Sequence, residues 1–136
     1  MKRKRKKLRK IKFHKYRAWK EFSEHIRKRD KGVCITCGIQ KPIGQMQAGH
    51  YIHGKLDFSE ININCQCRGC NHFKSGNLGV YAEKIIEKHG IHMIVNLRYE
   101  SNQVVKYTRD YYDAVYEKYR GLNKYRGLNE DNKRLA

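Results

Sequence analysis

Two Cys-x-x-Cys pairs, Cys34/Cys37 and Cys67/Cys70, are the residues of this 136-residue chain whose spacing specifies chemistry most directly. Each pair can close a turn around a cation, and two such turns supply the four thiolates of a tetrahedral structural zinc. The 29 residues between the inner cysteines exceed the spacing of a compact zinc ribbon. The metal would therefore cross-brace an inserted hairpin. Disulfides or free core thiols are the alternative, and neither explains why both pairs share one spacing. Between the pairs lies Ala48-Gly-His-Tyr51, and Asn71 directly follows the last cysteine. An imidazole that titrates near neutrality can take a proton from water at pH 7. An amide oxygen is an acceptable hard ligand for Mg²⁺ or Mn²⁺.

A His closing a short strand, an Asn in the return strand and an Asn after the second Cys pair resemble the zinc-stapled HNH, or ββα-metal, nucleases. Ala48-Gly-His-Tyr51, Phe58-Ser-Glu-Ile-Asn-Ile63, Gln66-Cys-x-x-Cys-Asn71 and Lys74-Ser-Gly-Asn77 look like the NinG/Rap family of lambdoid phages. The resemblance runs from about residue 19 to residue 120. It implies an α+β fold: a small zinc-stapled ββα-metal (His-Me finger) core with flanking helices. It also implies a metal-dependent endonuclease that hydrolyses phosphodiester bonds in branched, Holliday-junction-like recombination intermediates. The implied cofactors are structural Zn²⁺ and catalytic Mg²⁺ or Mn²⁺.

Carried over position by position, the resemblance makes His50 the general base and Asn71 a cation ligand. Asn62 becomes the residue that fixes the loop behind the base. In many HNH enzymes an Asp precedes the base and ligates the metal, whereas here that position is Gly49. His50 is therefore also a candidate metal ligand. Asn64 competes with Asn62 on spacing alone, and His53, Asp57, His72 and Asn77 are further candidates for the cation's ligand set. Arg68 and Lys74, beside the site, are placed to hold a phosphate. Each residue has a plainer reading: a buried structural His for His50, a helix N-cap for Asn71, solvated charge for Arg68 and Lys74.

Lys and Arg number 31 against 13 Asp and Glu, a net charge of +18. That imbalance calls for a polyanionic partner, which the resemblance implies is DNA, branched or partly single-stranded. Twelve of those cations fall in the first twenty residues, which contain no acid. Lys2, Arg3, Lys4, Arg5, Lys6, Lys7, Arg9 and Lys10 are the candidate phosphate contacts. Like-charge repulsion predicts an arm over residues 1–14 that stays disordered until DNA screens it. No apolar run approaches the roughly 20 residues of a membrane span, and the N-terminus lacks the apolar core of a signal peptide. Thiols at metal-ligand spacing suit a reducing cytosol, so the expected location is cytoplasmic, which for the phage family the chain resembles implies the cytoplasm of the host cell.

The elements that must position these residues follow in order. Trp19, Phe22 and Ile26 recur at helical spacing, predicting a helix over 16–29 that lays Trp19 and Phe22 on the metal module. Residues 45–51 form the first strand, 61–65 the return strand, and 71–77 the short α element. Residues 78–89 read as a helix stopped by Gly90. Residues 91–97 read as helix or strand. Thr108 caps a last helix over 109–119 whose Tyr111, Tyr112, Val115, Tyr116 and Tyr119 make a packing face. The hexapeptide Lys118-Tyr-Arg-Gly-Leu-Asn123 recurs unchanged at 124–129, which predicts a poorly ordered tail over 121–136. The nuclease domain is then 15–120. Cys65 alternates with Cys67 on a strand and points to the other face, a small core thiol. Two readings compete with the enzyme: a non-catalytic zinc-stapled nucleic-acid-binding protein, and a ribosome-associated basic zinc protein. Symmetric cutting of a junction would favour a homodimer.

Overall fold

The computed structural model describes residues 2–135, excepting the side chains of residues 2 and 4–9. Its elements in chain order are α1 (Lys2–Arg29), a 3₁₀ turn (Ile43–Gln45), β1 (Gln47–His50), β2 (Ile63–Gln66) and a single π turn (Gly69–Phe73). The helices α2 (Leu78–His89), α3 (His92–Ser101) and α4 (Arg109–Leu135) follow. The chain forms two compact units, one of residues 1–25 with 106–136 and the other of residues 26–105. No described helix is long and apolar enough to cross a membrane.

The first unit pairs α1 with α4 side by side and parallel. Asp113 takes hydrogen bonds from His14 and, at 3.0 Å, from Arg17. Three residues on, the Arg17 guanidinium lies 3.9 Å from the Tyr116 ring centroid. Phe22 then meets Tyr119 edge-on at 4.9 Å, and Asn123 Nδ2 donates to the Glu21 carbonyl at 2.9 Å. These contacts rise in number together along both helices, as parallel packing requires. His14 and Arg17 hold the Asp113 carboxyl below its ordinary range, the His14 hydrogen bond contributing most.

Two expectations change here. The backbone of the basic arm is helical from Lys2 rather than disordered, and the tail is helical through both hexapeptides to Leu135. Lys and Arg are good helix formers, and a helix nucleated where Ala18 and Phe22 are buried propagates at little further cost. The repeat itself does not repeat in space. A six-residue step at about 100° per residue turns the second copy about 120° away from the first. Tyr119 is 3% exposed and its copy Tyr125 is 67% exposed. Thr108 caps α4 as expected, its Oγ1 accepting from Tyr111 N at 3.2 Å. Phe22, expected on the metal module, packs edge-on against Tyr119 while Trp19 lies beside it at 5.9 Å.

The second unit is built on the β1–β2 hairpin. The strands are antiparallel, with Gln47 opposite Gln66, Ala48 opposite Cys65, Gly49 opposite Asn64 and His50 opposite Ile63. Two strands bury too little to stand alone, and packing on other elements leaves every residue of β2 buried. One buried cluster joins Met46 and Cys65 to Cys34, Cys67 and Cys70. A second joins Leu56 to Tyr81 and Ile85 of α2 and Ile94 and Leu97 of α3. α2 spans the predicted residues, and Gly90, at φ +89°, ends it by donating to the Ile86 carbonyl at 2.8 Å. Of residues 91–97, read as helix or strand, 92–97 lie in α3 and Ile91 precedes its first turn. The expected α element at 71–77 is instead the π turn, placed two residues earlier.

Polar side chains fix the hairpin on its supports. Tyr81, fully buried, donates to the Gly49 carbonyl at 2.8 Å and accepts from Asn64 Nδ2 at 3.1 Å. Its hydroxyl thereby ties β1 to β2. Arg29 holds Asn64 Oδ1 at 2.9 Å and the Glu60 carbonyl at 2.7 Å, and grips Asp30 with two nitrogens. Asp30 in turn accepts from Cys65 N at 2.8 Å. Tyr81→Phe should lower stability by about 1 kcal/mol, since it removes the buried hydroxyl that links the Gly49 carbonyl to Asn64. Denaturant titration of metal-loaded protein checks this, and an unchanged midpoint would contradict it.

Candidate functional site

The four predicted metal cysteines come together. The Sγ atoms of Cys34, Cys37, Cys67 and Cys70 all lie within 4.8 Å of one another, and all five cysteines of the chain are free. Cys37 and Cys67 are 3.7 Å apart, against about 3.8 Å for two thiolates at tetrahedral Zn–S distances. The donor set and its spacing fit zinc, and the four thiols could hold a metal such as zinc. Cys70 N donates to Cys67 Sγ at 3.4 Å, and Thr36 Oγ1 lies 3.2 Å from Cys34 Sγ. Burial raises the Cys34 thiol, but the Cys37 amide, the Thr36 hydroxyl and neighbouring amides outweigh it and bring it down to about 6. The Ile39 amide works to lower Cys37, yet burial and the other three thiols push it up to about 12. Four thiolates this close need a cation between them.

Cys65 is not one of the four. It is fully buried, and burial pushes its thiol up to about 12 with help from the charges of Asp30 and Cys34. It is a core thiol, as strand alternation predicts.

His50 ends β1, its Nε2 3.0 Å from Asp57 Oδ1 and its ring stacked on exposed His53 at 4.8 Å. A carboxylate in that position fixes the ring and stabilises the imidazolium. The two side chains are largely shielded, at 17% and 16% exposure. Asn62 is wholly buried and clamps the loop after His50. Its Oδ1 accepts from Ile52 N at 2.8 Å, and its Nδ2 donates to Ile52 O at 2.8 Å and to Leu56 O at 3.2 Å. Asn64, the competitor, faces Arg29 and Tyr81 instead. The structure thus separates two asparagines that spacing left equivalent.

Asn71 sits in the π turn, and its Nδ2 donates to Gln47 Oε1 of β1 at 2.8 Å. It is not a helix N-cap. Its Oδ1 lies 3.0 Å from where a Cβ on Gly49 would be, and Gln66 Oε1 lies 1.9 Å from the same point. The Gln66 carboxamide therefore fills the space that a carboxylate at position 49 would need. The sequence gives no sign of this role for Gln66, which lies just past the predicted return strand at the head of the second cysteine motif.

The remaining candidates divide. Asn77 Nδ2 points at Cys70 Sγ, 3.9 Å away. His72 is exposed with its ring edge-on to Phe73, and Lys74 is exposed as well. Arg68 lies over the 72% exposed Phe73 ring at 5.6 Å. In the arm, Arg3 and Lys10 are exposed. The side chains of Lys2, Lys4, Arg5, Lys6, Lys7 and Arg9 lie outside the described residues.

A short hairpin braced by four thiols that could hold a metal, with a His–Asp pair at its tip, defines a small α+β protein. The sequence profile described as Bacteriophage Lambda NinG protein matches residues 1–130, and the chain belongs to that family. It is 45% identical over 71 residues to the protein ninG of Salmonella phage P22, and 43% identical over 70 residues to those of Escherichia phages lambda and 933W. Each match covers 48% of this chain and 34% of the relative, so the chain spans about a third of the length of the curated relatives it matches. No solved structure matches it.

Metal analysis tests the tetrathiol site. One zinc per chain is expected, lost with the fold in Cys67→Ser and retained in Cys65→Ser. Zinc lost only in the Cys65 variant would overturn the assignment.

Proposed function

We propose that this chain is a metal-dependent endonuclease that hydrolyses phosphodiester bonds in branched DNA. The observation that supports it most is the His50–Asp57 hydrogen bond at 3.0 Å at the end of a strand whose following loop is clamped by Asn62. A histidine with only a structural role needs no shielded carboxylate partner and no such clamp. In this reading His50 takes a proton from the attacking water, and Asp57 stabilises the imidazolium that results. Asn62 holds the loop so that the ring keeps its direction. Asn71 Oδ1 would hold a Mg²⁺ or Mn²⁺ ion, which would supply charge neutralisation at the phosphate. Arg68 and Lys74 bind the flanking phosphates, and the cations of α1 add sequence-independent affinity for DNA.

The second reading is a zinc-stapled nucleic-acid binder without hydrolytic activity, and Gly49 favours it because no carboxylate precedes His50. Single-turnover cleavage of a labelled four-way junction, with a linear duplex as control and Mg²⁺, Mn²⁺ or EDTA, separates the two. His50→Ala should lose about 10²- to 10⁴-fold in rate while zinc content and junction binding hold. Asp57→Asn should fall between that variant and the unaltered chain. A His50→Ala protein that cuts at the full rate would leave the binder standing.

The net charge makes a separate prediction about affinity. Deleting residues 2–12 should weaken junction binding and flatten its salt dependence, by roughly 0.9 in log–log slope per lost phosphate contact on duplex DNA. The rate at saturating DNA should hold. Unchanged binding with lost cleavage would instead give α1 a part in the chemistry.

A further inference from the structure

Gly49 is where the nuclease reading is weakest, and the atoms packed over it supply an answer that rests on that reading. Gln66 is fully buried on β2, and its Oε1 has no hydrogen-bond partner among the described residues. The direction of that oxygen is fixed by the other half of the amide. Gln66 Nε2 donates to the Gly76 carbonyl at 2.9 Å and to Thr36 Oγ1 at 3.3 Å. Turning the amide over would set two oxygens against each other at Gly76, so the nitrogen stays there and Oε1 faces Gly49. Asn71 is held the same way, its Nδ2 on Gln47 Oε1 at 2.8 Å. Both amide oxygens lie over Gly49, at 1.9 and 3.0 Å from an ideal Cβ there.

A buried acceptor left unpaired, as Gln66 Oε1 is, is costly. A hard divalent cation is what carbonyl-type oxygens of this kind take. We propose that Gln66 Oε1 is a cation ligand, paired with Asn71 Oδ1, in the place a carboxylate from residue 49 would otherwise occupy. Gly49 is then required, because any side chain there displaces the Gln66 oxygen. The chemistry of the pair also sets its strength. Two neutral amide oxygens bind Mg²⁺ weakly, so the ion must complete its shell with water and substrate phosphate oxygens. A third link follows from Thr36, whose hydroxyl touches both Cys34 Sγ and Gln66 Nε2. The tetrathiol site thereby orients the proposed ligand through a single side chain.

Side-chain amide resonances read this directly, without any activity. Zinc-loaded full-length chain, labelled with ¹⁵N, is titrated with Mg²⁺ against Na⁺ at matched ionic strength. The NH₂ signals of Gln66 and Asn71 should shift saturably with one apparent Kd, while those of Asn62 stay in place. Gln66→Met should raise the apparent Kd read at Asn71 at least tenfold. Gly49→Ala should do the same by pushing Oε1 aside, leaving the Gln66 amide chemically intact. If the Met variant loses zinc, the unaltered chain and Gly49→Ala decide the matter. Asn71 shifting while Gln66 stays still, or an unchanged Kd in Gly49→Ala, would overturn this inference and leave the nuclease reading in place. No saturable shift at either residue would overturn both.

Discussion

Four sulfur atoms that must lie within a few ångströms of one another set the terms for the rest of this structure. They come from two turns separated by 29 residues, and everything between them has to return to the same place. That stretch contains β1, the His50 loop and β2. A two-stranded sheet with four residues per strand cannot pay for its own ordering. Structural zinc sites in small peptides release about 10–16 kcal/mol on binding, more than the few kcal/mol by which a small domain is stable. A metal in the tetrathiol site would therefore decide whether the hairpin exists.

The hairpin is also held from its other face, by polar contacts rather than by area alone. Tyr81 reaches out of α2 to the Gly49 carbonyl, Asn64 links that hydroxyl to Arg29, and Arg29 reaches Asp30 and the Glu60 carbonyl. Asn62 performs a separate task, closing the loop between His50 and the return strand with three hydrogen bonds. The imidazole is thus aimed by Asp57 and by a loop with little freedom. Preorganisation of this kind would suit the general-base role proposed for His50.

Much of the second unit was legible in the sequence because its signals are local. Cysteine spacing, the glycine after α2 and the alternation that sends Cys65 away from Cys67 each follow from a few neighbouring residues. Asn62 and Asn64 were not separable by spacing, since their difference lies in partners from Ile52 and Arg29 that only the fold brings near. Gln66 opens one of the motifs that carry the resemblance, but its place over Gly49 was not legible, because it arises from Gly49, Gly76 and Thr36 in three other places. The arm and tail were misread for another reason. Charge density and a repeated hexapeptide look like disorder, but α1 and α4 each have a packed stretch from which helix can propagate. The repeat hid this, since only one of its two tyrosines faces inward.

The dependence of the His50 loop on the tetrathiol site is the central claim, and amide hydrogen exchange measures it most directly. Zinc-loaded chain is compared with chain stripped by a chelator. Removing zinc should abolish protection across residues 47–52 and 62–66 together with the two cysteine turns, while protection in α4, which belongs to the other unit, persists. Protection of 47–52 that survives when the cysteine turns have opened would contradict the account, and would mean that α2 and α3 hold the site alone.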